Sequence, residues 1–155
     1  MSFISDLIKR HEGLRLKVYK DSRGIPTIGY GFNLEAWAAR AICGRFSLDY
    51  SGLCAGTKEL TEAQADAIFD FQLEKVIAGA RITFPGFDEF PEKAQAVIAD
   101  LIFNLGLGGF LGFRKTIAAL KAGKYDAAAD ELMDSLWYRQ VGNRAVEDVG
   151  MLRIA

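Results

Sequence analysis

Two hydrophobic periods divide this chain. After Pro91, the residues Ala94, Val97, Ile98, Leu101, Ile102 and Leu105 recur at intervals of three and four, the spacing of a helix buried over a broad face. Between Leu14 and Leu34 the texture is different. L-R-L-K-V-Y-K alternates apolar and polar, D-S-R-G is a turn signature, and P-T-I-G-Y-G-F is β-branched and aromatic between glycines. The two periods together predict an α+β fold, predominantly helical, with a small antiparallel sheet of two or three strands near the N-terminus.

The remaining signals fill in the helices. Phe3, Ile4, Leu7, Ile8 and His11 share one helical face and Gly13 follows as a stop, which predicts a helix over 3–12 with Glu12 at its C-terminal end. An Ala/Arg-rich helix is expected over 36–43, followed by a Gly/Ser-containing loop. Thr61-Glu62-Ala63-Gln64 is a capping-box pattern opening a helix of about 18–20 residues. Further helices are expected over 117–122, over 125–136 and from Gly142 onward. The expected organisation is a single domain, 1–155, with two lobes. A small sheet-bearing lobe (about 13–60) joins through a linking helix (about 61–80) to a helical lobe (about 81–155 plus 1–12), and a ligand is expected in the cleft between them.

Composition removes several function classes. Nineteen Lys and Arg against twenty Asp and Glu leave a net charge of −1, without the basic footprint of a nucleic-acid binder. The balance is uneven: residues 1–60 carry nine basic and six acidic side chains, a bias that favours an acidic polymer as substrate. Cys43 and Cys54 are too few for a disulfide framework and read as reduced apolar fillers. Asp6, Lys9 and Arg10 interrupt the start before any signal-peptide apolar run forms. The most apolar stretch, 96–113, contains Asp100, Asn104 and several glycines, and is expected to be a core helix with a loop rather than a membrane span.

Motif analysis narrows the chemistry to carboxylates. With His11 as the sole histidine, metal sites and triads that need two imidazoles are excluded, and His11-Glu12 is not followed by the spacing of a zinc motif. Gly29-Tyr30-Gly31 lacks the third glycine of a dinucleotide fingerprint, and no phosphate-binding G-K-[ST] occurs. Neither a metal nor a cofactor is expected. Glu12 and Asp21 form the candidate pair. Glu12 ends a helix, where unpaired carbonyls and burial favour its protonated form, whereas Asp21 opens a turn whose free N–H groups favour a carboxylate. One protonated and one ionised carboxyl are what glycosidic hydrolysis requires. The alternative is a solvated helix-end acid and an ordinary turn residue.

The run from Glu12 to Gly31 carries the pattern E-G-x-x-x-x-x-Y-x-D-x-x-G-x-x-T-x-G-x-G, and it resembles the phage-type lysozymes, the endolysins of glycoside hydrolase family 24. Phe103-Asn104-Leu105-Gly106, Gly112-Phe113, Trp137-Tyr138 and Gly142-Asn143-Arg144-Ala145 are similar to that family's later landmarks, in order. The resemblance implies a bilobal lysozyme fold and a muramidase that cleaves the β-1,4 bond between N-acetylmuramic acid and N-acetylglucosamine with inversion. Glu12 matches the proton donor, Asp21 the second carboxylate and Thr27 a hydroxyl that helps place the water. Asn33, Phe103, Asn104 and Thr116 match substrate-binding positions, and Arg144 a supporting basic residue near the acid. Inversion implies a carboxyl separation of ~6.5–9.5 Å rather than ~5–5.5 Å.

The resemblance also implies a monomer acting on bacterial peptidoglycan, without nucleic acid or stable membrane insertion, held in the host bacterial cytoplasm and released to the wall through a holin. Phe32 stands where many members carry His, so an ion pair made by that His is absent; Arg23 replaces an acid and Asn104 a Gln. The chain also stops soon after Arg144-Ala145, which implies a truncated last packing segment. Other readings stay open on sequence. Thr27 also fits a plain strand position, Phe103 a core position and Arg144 a surface or cap position. A wall-binding module on the same fold, or an enzyme of a related glycan such as a chitinase or transglycosylase, are the rival functions.

Overall fold

A computed structural model describes residues 2–155, and its elements follow from the local signals. Helix α1 (Ser2–Glu12) ends where Gly13 turns into the left-handed region, its N–H donating to Lys9 O at 2.8 Å. The alternating segment then forms β1 (Arg15–Lys20), β2 (Pro26–Gly29) and β3 (Phe32–Asn33), an antiparallel sheet in the order β1-β2-β3. Short helices α2 (Ala39–Arg45) and α3 (Tyr50–Ala55) follow. The Ala/Arg-rich helix therefore starts three residues later than expected, because Asn33 caps a turn over the intervening residues: its Oδ1 accepts the Glu35 and Ala36 N–H groups at 2.7 and 3.1 Å.

Helix α4 (Glu62–Thr83) begins with the expected capping box. Gln64 N–H donates to Thr61 Oγ1 at 3.1 Å and Thr61 N–H donates to Gln64 Oε1 at 2.9 Å. Helices α5 (Glu92–Leu111), α6 (Arg114–Lys121), α7 (Tyr125–Met133), α8 (Leu136–Val141) and α9 (Asn143–Arg153) complete the described residues. The helix expected over 125–136 ends at Met133, and α8 is a further helix that the sequence reading did not place. The break falls at Ser135, whose Oγ accepts the Tyr138 N–H and caps α8. Helix α5 is long and apolar enough to cross a membrane by length and composition, but half of that stretch is buried inside the protein, and Gly106 (φ 74, ψ 158) interrupts it.

The chain divides into two compact units, residues 9–72 and residues 1–8 with 73–155. The division falls inside α1 and inside α4, so the helices expected to belong to one lobe or to link two each contribute residues to both units. In the first unit, Ile28, Phe32 and Leu34 pack with Ala39, Cys43, Leu53, Leu60, Ala65 and Ile68. Phe32 is thus a core residue on the face of the sheet opposite Thr27. Cys43 fits the apolar-filler expectation; Cys54 does not, being exposed on α3. The second unit is built around α5, with Ala94, Val97, Ile98, Leu101 and Ile102 buried, and around an aromatic group of Phe84, Phe87, Phe90, Phe110 and Tyr125.

Candidate active site

Strand register assembles the first part of the site. Tyr19 pairs with Thr27 across β1 and β2, and Thr27 pairs with Asn33 across β2 and β3. Directly paired residues point to the same face, so Tyr19, Thr27 and Asn33 form one row across the sheet. Ile28 and Phe32 form the neighbouring pair and face the core. Alternation along the strands thus separates chemistry on one side from packing on the other.

Asp21 sits in the turn that joins β1 to β2. Its Oδ1 accepts the N–H groups of Arg23 at 2.8 Å and Ile25 at 2.9 Å. These bonds, the Ile25 one foremost, hold its carboxyl below the usual Asp range against a smaller opposing effect of desolvation, with the Arg23 charge adding to them. The same turn reaches Thr27, whose hydroxyl donates to Ile25 O at 2.8 Å while Asp21 N–H donates to that oxygen at 3.0 Å. Because its proton is committed, the Thr27 hydroxyl faces any further partner as an acceptor. Thr27 is 4% exposed, so the hydroxyl is held rather than free to rotate with solvent.

Glu12 is half-buried at the end of α1 and is located by two contacts of its own unit. Lys9, one turn earlier, pairs with Asp66 at 3.0 Å and lies 5.1 Å from the ring centres of both Tyr30 and Phe69. That ties the helix end to α4 and to the β2–β3 loop. Gly31 of this loop lies directly against the Glu12 side chain: a Cβ there would overlap Glu12 Oε2 and stand 2.9 Å from its Cδ. Gly31 also has φ +71, a conformation other residues adopt with strain.

Tyr19 connects the two carboxyls electrically. Burial pushes its phenol up first, and the charges of Glu12 and Asp21 push it further, with Arg15 opposing from 4.6 Å over the ring. Tyr19 and Gly31 had no role assigned from sequence, although both are fixed positions of the motif. A function for them is invisible in one dimension, because it consists of what each approaches in space.

The remaining sequence candidates belong to the other unit. Phe103 is half-buried and Asn104 is exposed, both on α5; Asn104 Oδ1 accepts the Trp137 indole N–H at 2.9 Å, leaving its amide nitrogen for other contacts. Trp137 is 5% exposed and packs. Thr116 is 2% exposed, on the floor of a shallow recess with Phe113, Glu131 and Ser135, so it offers little surface to a sugar. Arg144 is neither a cap nor a solvated side chain. Its guanidinium forks onto the fully buried Asp100, Nε to Oδ2 at 3.0 Å and Nη2 to Oδ1 at 2.7 Å. Asp148, equally buried, completes this group. Desolvation and the neighbouring Asp100 raise its carboxyl to about 10, against the opposing charge of Arg144. Sequence reading missed Asp148, which carries no motif signal.

Comparison with known proteins gives the family. Residues 9–153 match the phage lysozyme family. The pre-baseplate central spike protein Gp5 of Enterobacteria phage T4 is 29% identical over 92% of this chain, which spans about a quarter (26%) of that protein's length. The endolysin of Salmonella phage P22 is 30% identical over 84% of this chain and 77% of its own length. The probable T4-type lysozyme 1 of Dictyostelium discoideum is 24% identical over 94% and 90% of the two chains. With the match running through both units and containing Glu12, Asp21 and Thr27, the chain belongs to the phage lysozyme family and is a lysozyme-type hydrolase.

Proposed function

We propose that this chain is a muramidase that hydrolyses the β-1,4 bond between N-acetylmuramic acid and N-acetylglucosamine of bacterial peptidoglycan, with inversion at the anomeric carbon. The observation that supports it most is the Asp21 turn. A carboxylate bound by two backbone N–H groups stays ionised, and the Thr27 hydroxyl anchored to the same turn accepts a hydrogen bond from a water. In this reading Glu12 gives its proton to the glycosidic oxygen as the bond to the anomeric carbon breaks. A water oriented by Thr27 attacks the opposite face of the oxocarbenium-like centre, and Asp21 takes its proton. Glu12 is left ionised and Asp21 protonated, and solvent exchange restores both. Asn33, Phe103 and Asn104 are assigned to sugar contact, Asn33 through its amide nitrogen because its oxygen caps the adjoining turn. The likeness to the P22 endolysin supports a role in lysing the host; a monomer held in the host cytoplasm and passed to the wall through a holin is the form of that role we propose.

The test is product analysis on purified peptidoglycan, counting new reducing ends and new amino groups separately and reading the anomer by NMR. Muramic-acid reducing ends released first as the α-anomer are expected. First release of the β-anomer would remove inversion, new amino groups would indicate an amidase or peptidase, and an anhydro product would indicate a transglycosylase.

The contact between Gly31 and Glu12 adds a second expected result. Gly31→Ala displaces the Glu12 carboxyl and lowers kcat by about 100-fold, the scale of an ångström-sized misplacement. Gly56→Ala is the control. It imposes the same strain at φ +77, but its Cβ would make ordinary 3.6 Å contacts with Lys17 and Val18. Both variants lose stability and only the first loses kcat; equal kcat in the two would leave Gly31 as a turn residue alone.

A further inference from the structure

We propose that Trp37 is a glycan-stacking residue, which takes the apolar face of an N-acetylhexosamine of the strand that Glu12 and Asp21 cleave; the inference rests on the muramidase reading. Trp37 is 96% exposed, whereas Trp137, the other tryptophan, is 5% exposed. Nothing in the first unit's packing uses the indole, yet the backbone that carries it is fastened on both sides. Asn33 accepts the Glu35 and Ala36 N–H groups, Tyr50 donates its hydroxyl to Leu34 O at 2.6 Å, and the fully buried Ala39 donates its N–H to Ala36 O at 2.9 Å. The ring is therefore presented on an ordered turn, so binding to it would cost little loop ordering.

The isolation of the ring indicates its occupant. Among the described residues of this unit, the exposed large apolar side chains are Trp37 and, at 36%, Leu14. A protein interface or a membrane surface needs a contiguous apolar area. A sugar ring needs one aromatic face with a polar rim, and here Glu35 and Arg40 flank the indole in sequence and are exposed. Position agrees. Trp37 follows Gly31, the residue in contact with Glu12, by six residues, which limits the distance along the chain to roughly 20 Å. A polymeric substrate continues past the bond being cut, and a platform at that range meets a neighbouring sugar of the same strand.

Because Trp137 is buried, the long-wavelength part of the emission reports Trp37. The full-length Glu12→Gln protein is titrated with soluble uncrosslinked glycan strands, while Trp37→Ala and Trp37→Phe in the active protein are assayed for reducing-end release. A blue shift of the exposed component is expected, with KM raised about three- to tenfold in Trp37→Ala, kcat lowered less than twofold, and most of the KM recovered in Trp37→Phe. Unchanged emission at saturating glycan together with an unchanged KM overturns the proposal. So does a blue shift produced by raising protein concentration alone or by anionic phospholipid vesicles, which would make the occupant a second copy or a lipid surface. Wild-type protein that releases no muramic-acid reducing ends overturns the muramidase reading itself, a result separable from an active enzyme indifferent to Trp37.

Discussion

Glu12→Gln is expected to lower kcat on peptidoglycan by about 1,000-fold, within the ~10²–10⁴ carried by a positioned general acid. The amide has the size of the acid, so it occupies the space beside Gly31 and the substrate still binds; KM should change by less than about threefold, which places the loss in the chemical step. Thermal unfolding of the variant checks that the fold is intact. Asp21→Asn is the companion. The amide oxygen accepts the same two N–H groups from Arg23 and Ile25, so the turn persists while the negative charge is lost. A fall of about 100-fold or more in kcat with an unchanged melting temperature is expected. Since the Asp21 carboxyl is held below the usual Asp range, the acid limb of the activity profile is expected to lie below that of an ordinary Asp or to belong to another group. A Glu12→Gln protein retaining a tenth of wild-type kcat would exclude Glu12 as the proton donor.

Asp148→Asn is expected to stabilise the protein above neutral pH. Asp148 is fully buried, and neither carboxyl oxygen accepts a hydrogen bond from another group. Its interaction with Asp100 is one in which protonated Asp148 donates, which fits a carboxyl raised to about 10 by desolvation first and by Asp100 next. Arg144 neutralises Asp100 and opposes the shift, and Glu147 adds slightly to it. The pair holds one proton between its members in the folded state. The unfolded chain releases that proton near 3.8, so between about 4 and 10 the folded state binds one more proton than the unfolded state. Stability is therefore greatest below that window and falls as pH rises through it, by up to about 1.4 kcal/mol per pH unit. Asparagine keeps a donor for Asp100 and removes the titration. Denaturant unfolding at pH 5 and pH 8 should show a wild-type loss on the order of 3–4 kcal/mol from this group, absent in the variant. Equal pH slopes in the two proteins would mean that Asp148 is ionised in the fold.

How much was legible in one dimension varies by element. The α1 stop at Gly13, the α4 capping box and the D-S-R-G turn are local, each specified by residues within four positions of one another, and each is found as read. The helix expected over 125–136 is present but stops at Met133, because Ser135 is as compatible with a helix interior as with a cap until its backbone is placed. Arg144 is the clearest case at the candidate site. Its place in the motif marked it as a supporting residue, but its fork onto Asp100, forty-four positions away, depends on how α5 and α9 pack.

The sequence by itself determined the fold class and the family, and it singled out the two carboxyls proposed to act, because hydrophobic period, turn chemistry and the spacing from Glu12 to Gly31 are short-range properties written along the chain. Only the tertiary structure decided which side chains surround those carboxyls and which are exposed. Gly31 against Glu12, Tyr19 in the field of both acids, the protonated Asp148 and the projecting Trp37 all arise from distances between residues and from the exclusion of water. Those quantities are set when the elements pack, and no pattern of neighbours along the chain records them.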